Sequence, residues 1–175
     1  ASLHGVVKLA FSWQGKDVRP FVGPAALEKA LRELFSQASS QQLVCLVQQM
    51  VPKVVCELRV LAFRDELKDS FVLKKVYMAL WDKGDKYRGS TDEFAMASGK
   101  VLQPEEAAAA FFGGDAEACD FAEKEAVALA RRWLLWFSTE FGPPCMTRLD
   151  FLVAQAGARQ PISLWTCEVT ECGSS

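Results

Sequence analysis

The chain has 175 residues, half of them hydrophobic and 24% charged, with a net charge of −2. This is globular composition, which excludes a disordered chain, and without a basic excess a nucleic-acid partner has no support. The length suits one domain that buries roughly 70% of its unfolded surface with no disulfide or metal needed to hold it.

In chain order, the apolar run in "HGVVKLAFSW" predicts a strand over Val6 to Phe11. A polar "QGKD" leads to a second short strand, "VRPFV". Next, "GPAALEKALRELFSQ" predicts a helix over Ala25 to Gln37. Pro24 suits its first turn, Leu27, Ala30, Leu31, Leu34 and Phe35 form an apolar stripe, and Glu28 precedes Arg32 by one helical turn. After the serine-rich "ASSQQ", strands are expected over Leu43 to Val51 and Val55 to Phe63, joined at Pro52-Lys53, and again in "DSFVLKKVYMALW". From Asp82 to Gln103 the sequence turns polar and contains glycine, which predicts a mobile loop. "PEEAAAAFF" and the stretch Ala116 to Phe141 read as helices. The second is apolar on one side through Phe121, Ala122, Leu129, Trp133 and Phe137, and Gly142-Pro143-Pro144 stops it. Two strands, Met146 to Val153 and Leu164 to Val169, close as a hairpin around Gly157 and Pro161. The order β-β-α-β-β-β-α-α-β-β predicts an α+β fold on antiparallel sheet.

Six cysteines form no CxxC pair, and with a single histidine they give no structural zinc pattern. They read as reduced core thiols of a reducing compartment, cytoplasmic or organellar. No apolar run is long enough to span a bilayer and no secretory leader opens the sequence, so a soluble segment is expected. Both ends read as cut from something longer, or processed.

Four places carry groups suited to chemistry. Lys8 in an apolar strand calls for an anionic partner such as phosphate, or else marks a strand edge. The loop after it, with Ser12, Gly15 and Lys16, offers backbone amides to phosphates. "VQQMVP" is either a hinge whose backbone pairs with a purine edge or an ordinary β-turn. In "CELRV", Glu57 and Arg59 share a strand face, as an edge ion pair or as a phosphate-binding fork. In the last hairpin Arg148 and Asp150 lie on one face, and Leu164, Thr166, Glu168 and Thr170 are expected to share another. That sets Asp150 against Glu168, where two carboxylates repel unless they are out of register, solvated, or bridged by a cation such as Mg²⁺.

Taken in order, the strand lysine, the glycine-containing loop, the amphipathic helix, "VQQ", "ELRV", the long helix, "RLDFLV" and "CEVTE" resemble the nucleotide-binding part of the ATP-grasp superfamily, from Val6 to Thr170. The resemblance implies a single ATP-grasp-like domain, with residues 1–51 in the smaller nucleotide-binding subdomain and 52–175 in a larger one carrying the metal hairpin. It implies ATP and Mg²⁺ as cofactors. Lys8 and the Ser12, Gly15 and Lys16 loop would meet phosphate, with Gln48, Gln49, Met50 and Val51 at the adenine. Arg148 and Arg59 would contact phosphate or substrate, and Asp150, Glu168 and Thr170 would hold metal. The implied chemistry is activation of a carboxylate as an acyl phosphate, then attack by an amine or thiol. Gln49 stands where the family has a hinge glutamate, Thr170 where it has asparagine, and Trp13 occupies a loop usually richer in glycine. The alternative is therefore a catalytically inactive ATP-grasp-like scaffold that docks a protein partner through Trp81, Trp133 and Trp136. A serine or cysteine hydrolase is disfavoured because His4 has no triad context, and a protein kinase because neither HRD nor DFG occurs.

Overall fold

Strand-forming alternation at the start of the chain is used immediately. In the computed structural model, which describes residues 3–9, 18–37, 44–80, 96–155, 157 and 160–171, strand β1 (His4–Leu9) is flanked by β2 (Val18–Val22) and β3 (Cys45–Gln49). The sheet is antiparallel, in the order β2-β1-β3. Its inward residues Val7, Leu9 and Phe21 pack with Ala30 and Leu34 of helix α1 (Pro24–Gln37). Gly23, at φ 81°, supplies the left-handed turn into that helix, and Pro24 occupies the first turn, where a missing N–H costs nothing.

Gly5 is the one position where this sheet needs the absence of a side chain. A Cβ there would lie 2.4 Å from the Gln48 carbonyl oxygen and 2.7 Å from the Phe21 ring. Gly5→Ala is expected to cost about 1–3 kcal/mol, because both the β3 backbone and a buried ring must yield. Urea unfolding should show the lower midpoint. An unchanged midpoint would mean that β1 and β3 are not held at this spacing.

The second sheet has five strands in the order β6-β5-β4-β7-β8, from β4 (Val54–Asp65), β5 (Ser70–Leu80), β6 (Met96–Lys100), β7 (Met146–Gln155) and β8 (Ile162–Glu171). Helices α2 (Pro104–Phe111) and α3 (Ala116–Glu140) pack on one face. Alternation along β4 decides that face: Cys56, Leu58, Val60 and Ala62 are fully buried with Leu149, Phe151 and Val153 of β7. The buried stripe of α3 is Cys119, Ala122, Ala126, Ala130 and Leu134, and its mostly small side chains let the helix approach the sheet closely. Asp115 caps α3 by accepting the Ala118 N–H at 2.9 Å, and Gly142, at φ 90°, takes the chain out of it.

Contacts divide the chain into two compact units, Ala1–Pro52 with Leu80–Ala95, and Lys53–Ala79 with Met96–Ser175. Pro52-Lys53 is thus both a turn and a passage between units. The architecture is α+β with two antiparallel-paired sheets and three helices among the described residues. One expectation changes here: the loop expected from Asp82 to Gln103 contains β6, which hydrogen-bonds to β5. Five residues are too few to display a period, and β6 is a strand because β5 offers it an edge. Residues 81–95, including Trp81, lie outside the described structure.

Candidate functional site

The β4 residues between the buried ones point to the sheet face opposite the helices. Glu57 and Arg59 lie there, with Arg148 and Asp150 of β7 and Glu168 and Thr170 of β8. The ladder pairs Arg59 with Asp150, Asp150 with Glu168, and Arg148 with Thr170, so Arg59, Asp150 and Glu168 form one row across three strands. The two acids expected to face one another do so.

A β-bulge makes this possible. The register steps from Asp150–Glu168 to Phe151–Thr166 and leaves Cys167 as the extra residue. The four β8 residues expected on one face are therefore split. Leu164 packs into the helix-side core and Thr166 accepts a hydrogen bond from Trp133 Nε1 of α3 at 3.2 Å, whereas Glu168 and Thr170 stay with Asp150. The sequence period assumes unbroken alternation, and the bulge breaks it.

Arginine separates the carboxylates. Arg59 Nε donates to Glu57 Oε1 at 2.8 Å and lies 3.3 Å from Asp150 Oδ1. Arg148 Nε lies 3.1 Å from Asp150 Oδ2, and its Nη2 donates to Glu168 Oε2 at 3.3 Å. Asp150 and Glu57 are almost inaccessible, at 1% and 5% exposure, so this is a buried charge network rather than a surface pair. Burial pushes the Asp150 carboxyl from its ordinary 3.8 up to about 7, the Glu57 charge adding to it and Arg59 and Arg148 opposing it. Burial also raises Glu57, against the pull of Arg59. For Arg59 burial works against the charge, but Asp150 and Glu57 outweigh it and hold the guanidinium above its ordinary value.

Oxygen donors of the kind a hard divalent cation takes lie in this row, already paired with arginine. Asp150, Glu168 and the Thr170 hydroxyl are oxygen donors, and three acids face two arginines. Asp150 Oδ1 and Thr170 Oγ1 are buried acceptors with no hydrogen bond, the kind of unsatisfied group that a cation or its water would complete. Among the described residues no three His, Cys, Asp or Glu side chains form a ready cage. Magnesium uses one or two protein carboxylates together with phosphate oxygens.

The other expected site residues belong to the smaller unit. Lys8 is half-buried on β1, paired with Val18 and Leu46, and alternation turns it away from the α1 core. Gln48 pairs with Val6 on that same outer face. Gln48 and Gln49 are exposed at the end of β3, and Met50 and Val51 are half-buried just beyond it, where the Met50 N–H donates to the His4 carbonyl at 3.2 Å. Ser12, Trp13, Gly15 and Lys16 lie outside the described residues.

A second polar cluster escapes a site reading of the sequence. On the helix side of the larger sheet, Tyr77 OH donates to Glu123 Oε1 at 2.8 Å, and Lys75 pairs with the other oxygen of Glu123. Beneath them Cys56 is fully buried, and burial pushes its thiol up to about 12, where it is inert. The only sequence signal was a lysine and a tyrosine two apart in a strand. Trp133, expected in the apolar stripe of the long helix and weighed also as a docking residue, is half-buried against the core. Among the described residues no helix is long and apolar enough to cross a membrane. Compared with known proteins, the chain matches no family model and no curated protein.

Proposed function

We propose that the chain is an ATP- and Mg²⁺-binding ATP-grasp-type domain of a ligase that activates a carboxylate as an acyl phosphate for an amine or thiol acceptor. The observation that carries this reading is the row Arg59, Asp150, Glu168 with Arg148 beside it, a charge network on the sheet face opposite α2 and α3. A protein has little reason to bury such a network for stability alone, since a well-packed apolar set does as well or better. In this reading Asp150 and Glu168 hold the magnesium, which draws charge from the phosphates. Arg59 and Arg148 neutralise phosphate oxygens. Electrostatic stabilisation of the transferring phosphoryl group is then the main catalytic contribution.

Mg-ATP at a hundred times its dissociation constant should stabilise the folded state by about 2.7 kcal/mol. For a chain of this size the melting temperature should rise by about 5–10 °C. Titration calorimetry supplies the direct heat. Neither heat nor thermal shift at millimolar Mg-ATP would favour the second reading, a scaffold. That reading has one observation behind it: Leu135, Trp136 and Phe141 are 69%, 45% and 75% exposed around the end of α3.

A further inference from the structure

Strand β3 leaves a ladder open. The Met50 N–H donates to the His4 carbonyl at 3.2 Å, and the Gly23 N–H to the Leu3 carbonyl at 2.6 Å. Hydrogen-bonded pairs alternate along an antiparallel ladder, so with the observed registers the even-numbered residues of β1 bond to β3 and the odd-numbered ones to β2. Leu46 and Gln48 therefore direct their backbone groups to β1, whereas Cys45, Val47 and Gln49 turn theirs to the outer edge. Among the described residues no strand pairs there, and Leu46 to Gln49 are all exposed, Val47 at 51%.

Two other edges are guarded. The same alternation sends the backbone groups of Val18, Pro20 and Val22 to the outer edge of β2, where Pro20 has no N–H to offer and Arg19 adds charge to the strand. The edge strand β8 of the larger sheet is broken by the bulge at Cys167 and carries Glu168. β3 has none of these devices. The sequence "LVCLVQQMVP" from Leu43 to Pro52 holds no charge, and its proline lies beyond the strand.

We propose that a second copy of this chain fills that edge, β3 against β3 in antiparallel order about a twofold axis at Val47. In that register Val47 faces itself and Cys45 faces Gln49, so the outward N–H and C=O groups of these residues exchange hydrogen bonds. Leu46 comes opposite Gln48 on the outer face. An identical partner brings every charge against its like unless the strand is uncharged, and β3 is uncharged. Because Pro20 guards the far edge of each sheet, pairing stops at a closed dimer and does not run on into a fibre. The ladder is short, so the interface is small and the association reversible.

Sedimentation equilibrium of the full chain, taken up to about 1 mM, is expected to show monomer and dimer in exchange. By hydrogen exchange the Val47 amide should be protected at high concentration and open after dilution, while the Gln48 amide, bonded within the sheet, stays protected in both. Val47→Lys sets two like charges face to face at the axis and should weaken dimerisation by about tenfold, with circular dichroism to check its fold. Should that variant not fold, Val47→Pro, which removes an N–H that no bond inside the sheet uses, should give the same loss. A wild-type chain that stays monomeric over the whole range would overturn the proposal. So would undiminished dimerisation of a folded variant, or a wild-type dimer whose Val47 amide exchanges freely, as in association through the exposed aromatics at the end of α3.

Discussion

Arg59→Met is expected to destabilise the larger unit by about 3–5 kcal/mol at pH 8, the range for removing one partner of a buried ion network. Arg59 is the charge that Glu57 and Asp150 share, at 2.8 Å and 3.3 Å, and both acids are nearly inaccessible. Without it, two carboxylates are left in an apolar sheet with only Arg148 nearby, and they take up protons rather than remain charged. The cost should therefore shrink at pH 5, where those protons are readily supplied. Urea unfolding at the two pH values reads both effects. A cost below about 1 kcal/mol at pH 8, or the same cost at both pH values, would show that Arg59 is not the countercharge of this face.

Asp150→Asn is expected to act in the opposite direction. The Asp150 carboxyl sits at about 7 in the folded chain against an ordinary 3.8, chiefly through burial. Between those values the folded state keeps a proton that the unfolded state has released, so stability falls as pH rises from about 4 to about 7 and is flat above. A shift of this size corresponds to about 4 kcal/mol. Asparagine imitates the protonated form and removes the slope. The variant should match wild type near pH 4 and exceed it by up to about 4 kcal/mol at pH 8, while losing its heat with Mg-ATP. Parallel stability profiles for variant and wild type from pH 4 to 8 would contradict the burial argument. Retained Mg-ATP affinity would contradict the metal role. A residue that weakens its own fold when ionised is the pattern expected of a group kept for a ligand.

Helices α1 and α3 were legible because each carries its period and its punctuation, Pro24 at the start of one and Gly142 after the other. Strands β4 and β7 were legible from their alternation. β6 was not, because a five-residue strand is decided by the neighbour it joins. Lys75 and Tyr77 read as ordinary strand residues, and only the approach of α3 with Glu123 makes them a cluster.

For the candidate site, local sequence by itself put Asp150 and Glu168 on the two strands of one hairpin, within a bulge of facing each other. The two strands are adjacent in the chain, so the loop through Gly157 and Pro161 constrains their register. It also placed Arg148 beside Asp150, because residues two apart on a strand share a face. Tertiary structure alone decided the rest. Which strand lies against β7 is set by the burial of Leu58 and Val60 with Leu149 and Phe151 under α3, and that packing brings Arg59 to Asp150 from a distant part of the chain. The bulge at Cys167 is likewise a compromise between two faces: Thr166 and Leu164 satisfy the helix side, and Glu168 remains with the acids. No local pattern records a choice made between non-local partners, since the free energy that settles it appears only when the core closes.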